Sequence, residues 1–174
     1  MQALVVGESS GTTGKDSQSA IEYYRGNFLP TRKLAEDISQ YAETDTYIMS
    51  EEFGILNGEE TIQDAEEDPE GAVKQVVEIL STHAPNTDIV VILLTTDTFR
   101  DIVVDHWEEV VESANENSIW CLGTGRGALG DVELETLRER VGDLFVYQRV
   151  GVAPIDNETR EELITEISKR AQEV

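Results

Sequence analysis

Cysteine is nearly absent: Cys121 stands alone among 174 residues. An intramolecular disulfide framework, a Cys-based zinc site and a CxxC redox pair are therefore excluded. Histidine is scarce too. His83 and His106 are the only two, which argues against a multi-His metal site, and no metal is expected. Apolar runs are short and none approaches the ~18 residues that a membrane span needs, so no membrane partner is expected. The start, MQALVVGE, enters an apolar stretch with no basic segment before it. The expectation is a cytoplasmic protein without a signal peptide. Basic residues are few: 13 Lys and Arg stand against 36 Asp and Glu, a net charge of −23. Nonspecific nucleic-acid binding works through many cation–phosphate contacts, and this chain is a poor candidate for it.

What is present is acid, and a regular alternation of apolar runs. High net charge also marks disordered chains, but strand and helix patterns recur along the whole length. The expectation is a solvated acidic surface, the composition of a halophilic, archaeal-type protein. Short apolar runs fall at 3–6, 46–49, 89–94, 119–122 and 144–147. The run Ile89–Leu94 is continuously apolar, as in a central strand covered on both faces. Between the runs lie helical patterns. One follows Pro30, with Leu34, Ile38 and Tyr41. A second follows Asp68-Pro69, with Val73, Val76, Val77 and Leu80. A third spans Phe99 to Val111 and includes His106 and Trp107. A short one is capped by Asp131, and a last one begins at Asp156 or Asn157. The alternation predicts one α/β domain over residues 1–174, three layers deep, with a mostly parallel sheet of about five strands.

In such a sheet, ligands bind beyond the carboxyl ends of the strands. The segments expected there are Gly7–Lys15, Ser50–Gly54, Thr95–Thr98, Gly123–Gly127 and Gln148-Arg149, all polar and three of them containing glycine. Gly7–Lys15 invites a P-loop reading. Counting back from Gly14-Lys15, however, the first glycine position is Ser9 and the hydroxyl position is Asp16, so both ends of that motif fail. A hydroxyl-rich loop with one lysine still suits an anion held by backbone amides. Gly125–Gly130 spells G-x-G-x-x-G, but the helix after it opens Asp-Val-Glu-Leu-Glu, the wrong charge for a pyrophosphate. A glycine-rich turn, with Arg126 as an anion contact, is the expectation. Cys121 reads as a buried small hydrophobe.

Positive charge is gathered near the start. Residues 1–34 hold Lys15, Arg25, Arg32 and Lys33 against Glu8, Asp16 and Glu22, a net of +1, which leaves −24 for the other 140 residues. This points to a small anionic ligand near the first loop; a local ion-pair network explains it equally well.

Two segments carry a resemblance. They are Tyr-Tyr-Arg-Gly-Asn-Phe at 23–28 and Tyr-Ile-Met-Ser-Glu-Glu-Phe-Gly-Ile-Leu at 47–56. Together they resemble an uncharacterised α/β family with the pattern LYxGxxF … ILSAkyGLL. That family is distantly similar to the bacterial peroxide-stress protein family. Tyr24, Gly26, Phe28, Ser50, Gly54 and Leu56 match. Glu51-Glu52 departs from the family's Ala-Lys, and Glu8, Ser9 and Ser10 depart after the first strand. The resemblance implies a shared fold, a shared pocket and a link to nucleic-acid metabolism, without fixing a reaction.

The candidate ligand-binding set is Gly7, Ser9, Ser10, Lys15, Tyr24, Arg25, Ser50, Gly54, Gly123, Gly125 and Arg126. In an enzyme acting on a nucleotide, nucleoside or nucleobase, Lys15 or Arg25 would hold phosphate and Glu51 would be the general acid/base. A nucleotide-sensing module without turnover and a protein-interaction domain are the alternatives. The residues name no cofactor and no oligomeric state.

Overall fold

The computed structural model describes residues 1–173. Six strands form one sheet: β1 (Gln2–Glu8), β2 (Glu43–Ser50), β3 (Gly54–Asn57), β4 (Ile89–Leu93), β5 (Ile119–Gly125) and β6 (Asp143–Arg149). Their order across the sheet is β3-β2-β1-β4-β5-β6. Five strands are parallel, and β3 folds back antiparallel on β2 at one edge. The sheet thus has one strand more than the five expected. The sixth, β3, has four residues and belongs to a hairpin with β2, too short to show period-two alternation.

Each face of the sheet is covered. On one side lie α3 (Ala72–His83), α4 (Thr96–Phe99), α5 (Trp107–Ser113), α6 (Arg126–Leu129) and α7 (Leu134–Arg140). On the other lie α2 (Leu29–Ile38) and α8 (Asn157–Glu173). Side chains alternate along each strand, so Val6, Ile92 and Trp120 pack on the first side while Val5, Val91 and Cys121 pack on the second. All five residues of β4 are buried, and each buried Val, Leu or Ile contributes roughly 1.5–3 kcal/mol.

Three helix boundaries differ from the sequence expectation. Asp131 does not cap α7; it pairs with Arg100, Nε to Oδ2 at 2.9 Å, and Glu133 takes the cap position. The helix expected from Asp68-Pro69 begins at Ala72, after a turn in which Asp68 Oδ1 accepts the Gly71 N–H. The long helix over 99–111 is interrupted. A π-helical turn, Arg100–Val104, separates α4 from α5, with the Asp105 N–H donating to the Arg100 carbonyl. At the other end of the chain, Asp156 Oδ1 accepts the Thr159 N–H at 2.9 Å and starts α8.

The chain runs outward from β1 to β2, then crosses back to β4 on the other side of β1. Such a reversal opens a crevice at the carboxyl ends of the two strands involved. Here the crevice is bridged. The Glu8 carboxylate at the end of β1 accepts the Thr95 N–H at 3.1 Å and the Thr95 hydroxyl at 2.8 Å.

Candidate functional site

Beside that bridge, toward β2, lies a cleft of about 680 Å³. Its floor is the end of β2, Met49 and Ser50. One wall is the loop after β1, with Glu8, Ser9, Ser10, Gly11 and Thr13. The other wall is Pro69, Ala72 and Val73 at the start of α3, and Tyr23, Tyr24, Glu51, Glu52 and Thr98 complete the lining.

The loop after β1 is held by backbone bonds rather than left free. The Ser9 N–H donates to the Met49 carbonyl, the Arg25 N–H to the Thr12 carbonyl, and the Gly14 N–H to the Tyr23 carbonyl. The Ser10 hydroxyl donates to the Arg25 carbonyl. These bonds seat the short helix α1 (Ala20–Tyr23) and the following Tyr24 against the sheet. The Tyr24 ring packs edge-on against Tyr23 and Phe28, with centroids at 5.0 and 6.2 Å. Gly26 follows with φ +60, the left-handed turn that lets Phe28 enter the core.

At the back of the cleft Tyr24 and Ser50 meet. The Tyr24 hydroxyl donates to Ser50 Oγ at 3.0 Å. The N–H groups of Glu52 and Phe53 also point at Ser50 Oγ, each at 3.3 Å. A hydroxyl oxygen has two lone pairs and one proton. Three donor groups therefore converge on one oxygen that accepts two at a time. Burial pushes the Tyr24 hydroxyl up from its ordinary value of 10.0, against the bond to Ser50, with Tyr23 and Glu52 adding to the rise. The partners of Ser50 Oγ are a tyrosine hydroxyl and two backbone amides, with no His, Lys or carboxylate among them.

The turn after Ser50 depends on Gly54, at φ +84. A Cβ there would stand 2.3 Å from the Asp68 carbonyl oxygen. Glycine is thus required both by the turn and by the segment that brings Pro69 and α3 to the cleft.

The predicted residues divide between places. Ser9, Ser10, Tyr24, Ser50 and Glu51 line the cleft. Gly7 sits beneath it, where a Cβ would meet Thr31 Cγ2 at 2.8 Å, so it serves the packing of α2 against β1. Lys15 and Arg25 are exposed and do not line the cleft. Gly123 and Gly125 lie farther along the sheet, against Pro154 and Thr96, and Arg126 is exposed at the start of α6. The cleft therefore gathers three carboxylates, Glu8, Glu51 and Glu52, and no Lys or Arg lines it among the described residues. Sequence reading placed Glu8 in the expected first loop but not in the binding set, and it missed Pro69, Ala72 and Val73 altogether as lining residues. Val73 was legible only as part of an apolar stripe, and its place at the mouth follows from how α3 docks.

Comparison with known proteins adds little to this geometry. No family model matches the chain, and no curated protein does. Among solved structures, the crystal structure of a diflavin flavoprotein A3 from Nostoc sp. is similar over 98% of this chain and 92% of that one, with 12% identity and a TM-score of 0.44. At that distance the flavin remains a property of that protein. No helix among the described residues is long and apolar enough to cross a membrane.

Proposed function

We propose that this chain binds a nucleobase or nucleoside in the cleft between the first loop, the end of β2 and the start of α3. The observation that carries the reading is Ser50 at the floor of the cleft, its oxygen met by the Tyr24 hydroxyl and two amides; in this reading its proton is offered to the ligand. A donor of this kind meets a carbonyl oxygen or ring nitrogen. The carboxylates of Glu8, Glu51 and Glu52 offer acceptors for amino, imino or ribose hydroxyl groups. The half-buried Tyr23 ring supplies a face for stacking. A nucleobase combines a flat ring with donors and acceptors on one edge, and the cleft falls within the ~300–1,000 Å³ of small-molecule sites.

The lining charge favours an uncharged ligand over a phosphate-bearing one. A nucleotide is the second reading, because Ser10 is bonded to the backbone of Arg25 and a phosphate reaching past the first loop would meet Arg25 or Lys15. In either case Glu51, exposed at the rim, is the candidate general acid/base if binding leads to turnover.

A thermal-shift panel of free bases, nucleosides and 5′-monophosphates in 2 M KCl tests the reading. Bases or nucleosides are expected to raise Tm more than their monophosphates. Monophosphates raising it more would favour the second reading, and a panel that is silent at millimolar concentration would remove both. Chromatography of the binding ligand after incubation separates an enzyme from a binding module.

A further inference from the structure

The two edges of the sheet are treated differently. The β3 edge is short and covered: the Asp68 N–H donates to the Phe53 carbonyl beside it, and Gly54 lies against the Asp68 backbone. The β6 edge runs for seven residues, and among the described residues no backbone hydrogen bond reaches its outer side. Soluble proteins protect such an edge or use it.

The direction of its free groups follows from the ladder. The Asp143 N–H donates inward, to the Ser118 carbonyl. In a parallel ladder, alternate residues turn both polar groups to the same neighbour. The N–H and C=O of Leu144, Val146 and Gln148 therefore face outward. The Leu144 carbonyl accepts Arg138 Nη1 at 3.3 Å, as that direction requires, and a carbonyl has a second lone pair.

The sequence of this edge, Asp-Leu-Phe-Val-Tyr-Gln-Arg, is complementary to itself when reversed. We propose that a second copy of this chain pairs with β6 antiparallel about a two-fold axis at Val146, joining two six-stranded sheets into one of twelve. In that register Val146 faces Val146 with outward groups on both, so the hydrogen-bond parity is satisfied. Asp143 of each copy stands opposite Arg149 of the other, Leu144 opposite Gln148, and Phe145 opposite Tyr147, an aromatic cross-strand pair. Shifting the register by two residues keeps the parity but loses both Asp–Arg pairs, so charge selects this one. Both ionic groups retain capacity. Asp143 uses Oδ2 on Arg170, and Arg149 uses Nε and Nη2 on the carbonyls of Gly151 and Val152. Phe145, Val146 and Tyr147 are half-buried in the single chain, and Val150 and Val152 beyond them are 88% and 67% exposed. Val150 would lie opposite Gly142, where no side chain obstructs it.

A net charge of −23 on each copy opposes pairing at low salt. Screening shortens the reach of that repulsion to about 3 Å at 1 M. The test is light scattering after size exclusion in 2 M KCl and at low salt. A mass of two chains is expected at high salt. Arg149→Asp should shift it to one chain, and the double variant D143R/R149D should restore two. Val146→Pro, which removes an outward N–H and no ladder bond to β5, should also give one chain; circular dichroism reports whether each variant is folded. A single-chain mass at all salt and protein concentrations would overturn the proposal. So would a dimer that persists in both folded Arg149→Asp and folded Val146→Pro. If Val146→Pro fails to fold, the charge pair alone decides.

Discussion

Tyr24 and Ser50 join two segments 26 positions apart through a single 3.0 Å hydrogen bond, at a point where both side chains are buried. The bond ties the floor of the cleft to the segment that follows the first loop. Tyr24→Phe keeps the packing against Phe28 and removes the donor. A net loss of about 0.5–1.5 kcal/mol in urea unfolding is expected, the ordinary worth of one such bond. Ligand binding should weaken as well, because Ser50 is then free to turn its proton elsewhere.

Gly54→Ala tests the turn that shapes the same wall. Alanine would be placed at φ +84 and its Cβ within 2.3 Å of the Asp68 carbonyl oxygen. A loss of at least about 1–3 kcal/mol is expected from backbone strain alone. Gly11→Ala, where a Cβ meets nothing within 4 Å, is the matched control and should be nearly silent.

Alkaline pH should weaken the fold through two buried acids. Burial, with a smaller push from Asp156, raises the Cys121 thiol from 9.0 to about 12. Tyr24 is raised from 10.0 for the same first reason. Above its unfolded value each group loses a proton more readily from the unfolded chain. The stability it contributes is therefore whole below pH 9 and declines as pH climbs toward 12. The expected slope from Cys121 is up to about 1.4 kcal/mol per pH unit. Cys121→Ala should flatten the curve between pH 9 and 10, measured by urea unfolding at each pH. A parallel curve would show that the thiol does not contribute.

Salt should act in the other direction. Seven of the 36 carboxylates take part in ion pairs among the described residues. The rest repel one another with little compensation, and screening relieves this. Tm is expected to rise steadily from low salt to molar KCl; a flat or falling curve would contradict the halophilic reading.

The sheet was legible wherever apolar side chains run continuously. The five expected strands coincide with β1, β2, β4, β5 and β6, the run 89–94 passing the end of β4 by one residue; β4 is buried along its whole length, whereas β6 is only partly buried. β3 was not legible, since four residues after a glycine turn look like loop. The interruption at Arg100–Val104 was hidden because a π-helical turn keeps Phe99, Ile102 and Val103 in the core and preserves the apolar pattern. At the site, Ser50, Tyr24 and Gly54 could be singled out, since hydroxyls and glycine at a strand end have few other uses. Which strand ends share a cleft could not. Gly123, Gly125 and Arg126 stand at the same edge of the sheet, yet they lie beyond the Glu8–Thr95 bridge. The scarce cations Lys15 and Arg25 are near the cleft in sequence but are exposed and not part of its lining.

The most direct test of the account is calorimetric titration, in 2 M KCl, of the nucleoside or base that most raises Tm. It should be run on the natural chain and on Ser50→Ala. The account predicts one site per chain and at least tenfold weaker binding by the variant, since one directed hydrogen bond of about 1.4 kcal/mol is a factor of ten. Equal affinity for both chains, with the variant folded, would contradict it.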